Sequence, residues 1–64
     1  MTYTINGERL RLDYAAELLA MIIMERIGGA WSVVVDMMRD FLRGIRPGCR
    51  KEYQGLTVSR DYPT

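Results

Sequence analysis

Histidine is missing from this 64-residue chain, and cysteine occurs once, at Cys49. Without histidine, no side chain has an ordinary pKa that places its proton exchange near neutral pH, and the commonest general acid–base chemistry loses its carrier. One cysteine and no histidine also exclude an intrachain disulfide and a zinc site of Cys and His ligands. A lone thiol fits a reducing compartment, so the expected location is cytoplasmic. Long apolar runs are lacking as well: the longest, Leu18 to Met24, is closed by Glu25 and Arg26. A membrane span needs ~20 mostly apolar residues, and no membrane association is expected. The start, Met1-Thr2-Tyr3-Thr4, has neither the basic opening nor the apolar stretch of a secretory signal. There is no internal repeat and no low-complexity segment.

What the chain does have is apolar helix. Hydrophobic residues make up 48% of it, too many for an intrinsically disordered sequence. From Asp13 at about 100° per residue, Tyr14, Ala15, Leu18, Leu19, Met21, Ile22, Ile23, Met24 and Ile27 occupy nearly the whole circumference. A helix of this kind needs cover on most sides. Domains this short have thin cores and commonly rely on disulfides, metals or association, and here association is what remains. The expected interface with a second copy or a larger protein is Leu18, Ile22, Ile23, Met24 and Trp31, and a charge at Ile22 or Ile23 is expected to abolish it.

The expected fold is a single α+β domain: an N-terminal β-hairpin (1–12), a two-helix hairpin (13–27 and 30–45), a short C-terminal β segment (49–60) and a frayed tail (61–64). Asn6-Gly7 suits a type I′ turn, because both residues tolerate positive φ. That turn pairs Ile5 with Glu8, Thr4 with Arg9, Tyr3 with Leu10, Thr2 with Arg11 and Met1 with Leu12. It gathers Met1, Tyr3, Ile5, Leu10 and Leu12 on one face, with Glu8 as the exception. Asp13 is the expected N-cap of helix one, and Gly28-Gly29 its end. Helix two divides cleanly: Ser32, Asp36, Arg39, Asp40 and Arg43 lie on one side, and Trp31, Val34, Val35, Met37, Met38, Phe41, Leu42 and Ile45 on the other. Met37 and Phe41 are read as core. Gly44 and Arg46-Pro47-Gly48 terminate the helix. Gln54-Gly55 can turn a second hairpin, and the two hairpins can join as a small sheet under the helices.

Candidate chemistry is sparse. Arg46, Arg50 and Lys51 surround Cys49 in sequence, yet no base accompanies it, and it reads as an inert turn residue. Asp36 and Asp40 lie one helical turn apart, but Arg39 and Arg43 stand among them at salt-bridge spacing, which favours a self-neutralising face over a metal site. Gly28-Gly29-Ala30 lacks the further glycines and lysine of a phosphate loop. No enzyme activity, metal or cofactor is expected.

Charge is uneven. Residues 1–38 hold three arginines against five carboxylates, and residues 39–64 hold six cations against three carboxylates. Arg39, Arg43, Arg46, Arg50 and Lys51 are thus the candidate contacts for an acidic partner or nucleic acid. A minimal helix-turn-helix, or a ribbon-helix-helix relative with a strand before two helices, would use them in a small dimeric DNA-binding regulator. Against it stand Asp36 and Asp40 on the same helix face and a net charge of only +1. The favoured expectation is a non-catalytic interaction module, an inhibitor or modulator of a macromolecular complex. In size and lack of sites it is comparable to the small proteins that phages and mobile elements make against host defence, CRISPR effectors included, or against transcription.

Overall fold

Asn6 and Gly7 take φ of 51° and 83°, the left-handed backbone that a type I′ turn requires, and they fold the first hairpin. The computed structural model describes residues 1–62. The hairpin comprises β1 (Thr2–Ile5) and β2 (Glu8–Arg11), followed by α1 (Leu12–Arg26), α2 (Trp31–Arg43), β3 (Arg50–Tyr53) and β4 (Leu56–Arg60). Registers run Thr2↔Arg11, Tyr3↔Leu10, Thr4↔Arg9 and Ile5↔Glu8, as the turn dictates. The pairing stops there, because Leu12 opens α1 and has no strand position to offer Met1.

Gln54 and Gly55 repeat the turn with φ of 53° and 80°, joining β3 to β4. The four strands make one antiparallel sheet in the order β2-β1-β4-β3, so the first and last strands form its centre. Strand alternation then sorts the faces. Tyr3, Ile5 and Val58 turn toward the helices and are at most 1% exposed. Thr2, Thr4, Thr57 and Ser59 turn away.

Strand β2 runs into α1 without a linker, so the N-cap position falls on Arg11, in extended backbone and with no side-chain cap bond. Asp13 therefore does not cap the helix. It sits inside the first turn, where its charge still complements the helix dipole, and its carboxylate accepts from Arg39 Nε at 3.1 Å. Helix α1 ends where the Ile27 N–H reaches the Ile23 carbonyl at 2.8 Å. Gly28 and Gly29 follow at φ of 84° and 127°, values that a side chain resists, and reverse the chain into α2.

Helix α2 stops at Gly44, slightly short of the expected boundary, yet Ile45 beyond it is buried at 1%. Arg60 closes this end from the sheet: its guanidinium donates to the Ile45 carbonyl at 2.7 Å and the Arg43 carbonyl at 3.3 Å, and lies 5.8 Å from the centre of the Tyr3 ring. Orphan carbonyls of a helix end thus find a donor from a distant strand.

Asp61 does not fray. Its N–H donates to the Thr2 carbonyl at 3.0 Å, and its carboxylate accepts from the Thr2 hydroxyl at 2.6 Å and the Thr4 hydroxyl at 2.9 Å. Those two hydroxyl bonds hold the Asp61 carboxyl below the usual aspartate range; Arg9 at 3.5 Å adds to them, and partial desolvation opposes. Tyr62 follows, largely exposed with its ring over Gly48, and Pro63 and Thr64 of the expected frayed tail lie outside the described residues.

The core lies between the sheet and the helix pair. Helix α1 gives it Ala15, Ala16, Leu19, Ala20 and Ile23, while α2 gives Val34, Val35, Met38 and Leu42. Among the described residues no helix is long and apolar enough to cross a membrane.

Candidate functional site

Tyr14, Leu18 and Met21 follow helical spacing along the side of α1 opposite its buried residues. Tyr14 is 65% exposed and Met21 56%, while Leu18 between them is half-buried. Val33 and Met37, one turn apart on α2, are exposed to a similar degree, and Trp31 in the first turn is exposed over nearly half its surface. Met21, Met24, Glu25 and Trp31 together line a shallow open depression of about 350 Å³ at the corner between the two helices. Glu17 and Glu25 on α1, and Asp36, Asp40 and Arg43 on α2, are exposed around these residues. The outward side of α1 and the corner it forms with α2 are therefore apolar, whereas α2 presents Asp36, Arg39, Asp40 and Arg43 beside them.

This arrangement moves the expected interface. Ile23 is core, 6% exposed, and cannot meet a partner without unfolding the chain. Leu18, Ile22 and Met24 are half-buried, and Leu18 and Met24 pack against the core cluster. Trp31 is on the surface as expected. Met37, expected in the core, is outside it, because the buried side of α2 is centred on Val35, Met38 and Leu42 and leaves Met37 lateral. Phe41 is half-buried, its ring 4.9 Å from that of Tyr53 and tilted by 36°. Tyr14, exposed beside Met21 on the outward side of α1, is absent from the expected interface. The small buried residues Ala15, Ala16 and Ala20 were the available signal, since they let α1 approach its neighbours closely and turn its bulky side chains outward.

The basic residues do not assemble. Arg39 is held by Asp13 and Asp36, each at 3.1 Å. Arg43 and Arg46 are exposed around the end of α2. Arg50 and Lys51 are consecutive on β3, opposite Ser59 and Val58, so they address opposite faces of the sheet. The outer sheet face carries a separate cross-strand row, Arg9, Thr4, Ser59 and Arg50. Strand β1 is hydrogen-bonded on both sides and has no free edge to exchange with a second copy, as a ribbon-helix-helix dimer would require.

Cys49 is exposed in the turn after α2, its N–H donating to the Arg46 carbonyl at 2.9 Å and its carbonyl accepting from the Arg60 N–H at 2.9 Å. Among the described residues no group of three or more Cys, Asp or Glu side chains is placed to hold a metal ion. Comparison of the chain with protein-family models, curated proteins and solved structures finds no match in any of the three.

Proposed function

We propose that this chain is a non-catalytic interaction module that docks on a larger protein through the solvent side of its helix pair. The observation that carries the reading is the group of bulky apolar side chains, Tyr14, Met21, Trp31, Val33 and Met37, left in water by a chain that closes its core with other residues. Scattered apolar residues on a surface are ordinary, whereas Met21 and Trp31 meet with Met24 at a depression, and that favours association. Aromatic and methionine side chains are also the types that anchor protein interfaces. Occupying a surface of a macromolecular complex, in the manner of small phage and mobile-element inhibitors of defence or transcription, is the form of this role we favour.

A second copy is a weaker occupant than a different protein. Packing two α1 helices antiparallel about Met21 sets Glu17 of one copy against Glu25 of the other, and parallel packing sets Glu17 against its equivalent. Nucleic acid has less support still: the Arg39–Lys51 segment is divided among an ion-paired site, a helix end and two sheet faces.

The test is affinity capture from an extract of the producing cells, with wild type beside Tyr14→Asp and Met37→Asp, each confirmed folded by circular dichroism. A partner bound by wild type and lost from both variants is the expected result. Equal capture by all three, or sedimentation as a monomer that retains nothing, overturns the proposal.

A further inference from the structure

The corner depression carries a more specific reading, which rests on the docking role proposed above. Met21, Met24 and Trp31 give it an apolar surface, and Glu25 stands at its border. Glu25 is exposed and joins no ion pair among the described residues. The neighbouring cation, Arg26, is engaged elsewhere: its guanidinium donates to the Gln54 carbonyl at 2.8 Å and to Gln54 Oε1 at 3.3 Å, on the β3–β4 turn. Trp31 keeps 45% of its surface exposed, so its indole is accessible to a ligand.

We propose that this corner is a recognition site for an arginine side chain of the partner protein. The methylene stem of an arginine lies against the methionines, which are soft enough to adapt to it. Its guanidinium is attracted to the indole face and can donate two parallel hydrogen bonds to the Glu25 carboxylate. Lysine offers a compact, strongly hydrated charge with no planar group to stack, and is the poorer fit. The charge of the corner is thus Glu25's alone, with no cation of the described residues paired to it. An arginine is complementary to that carboxylate.

The experiment uses the full chain and three small probes, the Nα-acetyl amides of arginine, citrulline and lysine. Trp31 is the sole tryptophan, so its indole N–H resonance and its fluorescence both report on the corner. A saturable shift with the arginine probe is expected, about tenfold weaker with citrulline, which keeps the shape but loses the charge. Glu25→Gln is expected to weaken the arginine response by about tenfold. Glu17→Gln, two turns earlier on the same helix, leaves it unchanged. Lack of saturation, equal binding of citrulline, or indifference to Glu25→Gln overturns the assignment. If Met37→Asp loses the captured partner while the arginine probe gives no response, the docking reading stands and the arginine site falls. If the probe binds as expected while Met37→Asp retains the partner, the site stands and the docking reading falls.

Discussion

Met21 and Ile23 are two positions apart on α1, and truncating each to alanine should separate the surface from the core. Ile23 is 6% exposed, and removing a buried isoleucine side chain costs about 2–5 kcal/mol, through lost burial and the cavity left behind. A domain of this size has roughly 3–10 kcal/mol of stability in total. Ile23→Ala should therefore leave a marginal protein. At about 4–8 °C per kcal/mol for small domains, a loss of about 3.5 kcal/mol lowers the melting midpoint by roughly 14–28 °C. Met21 is 56% exposed, so its truncation forfeits less than half of the ~1.5–3 kcal/mol that full burial supplies. Alanine's better helix propensity offsets part of that, and Met21→Ala should stay within about 1 kcal/mol of wild type. Urea and thermal unfolding followed by far-ultraviolet circular dichroism measure both. Equal midpoint shifts for the two variants would refute the assignment of inner and outer sides of α1, and the docking surface with it.

Further outcomes follow from other contacts. Gln54 occupies left-handed backbone, where asparagine is far better tolerated, so Gln54→Asn should raise stability by ~0.5–1 kcal/mol, read as a higher urea midpoint. Arg60→Ala leaves the Ile45 and Arg43 carbonyls without their donor and should cost about 1–3 kcal/mol in the same assay, with Arg60→Lys recovering only part. The Asp61 carboxyl should titrate below the ordinary value near 3.9 by carbon-detected NMR, and Thr4→Ala should move it upward. Because that pKa is lower folded than unfolded, its stabilising contribution is present above pH ~4 and is lost as pH falls through the folded value; stability that rises on acidification through this window would contradict the contact. Arg39→Ala removes two ion pairs on the surface and should change stability by less than ~1 kcal/mol, with the difference shrinking in high salt.

Sequence patterns located most of the elements and little of their arrangement. Asn6-Gly7 set the first hairpin's register because one turn type accommodates the pair, and Gln54-Gly55 marked the second hairpin on the same physics. Gly28-Gly29 divided the helices by their tolerance of positive φ. Strand order was not legible: strands of four or five residues carry no label for which neighbour they take. Which side of α1 turns outward was not legible, because periodicity weighs bulky residues alike. In this helix tight packing selects alanines for the interior, so large side chains remain on both sides. Arg60 and Asp61 were invisible as anchors, since their partners, Ile45 and the pair Thr2 and Thr4, are brought to them only by the completed sheet.

The seam between β1 and β4 also governs how the molecule can assemble. It joins Thr4 to Ser59 and Ile5 to Val58, residues more than fifty positions apart, while each hairpin alone is a two-stranded ribbon that is marginal in water. The four-stranded sheet is completed only when β1 meets β4, a pairing of high sequence separation that slows folding. Thr2 and Asp61 then lie side by side, with the Asp61 N–H on the Thr2 carbonyl. A short peptide bridge between them should be accepted without distortion and should speed folding, and a permuted chain reopened at Gly28-Gly29 should still form the same sheet.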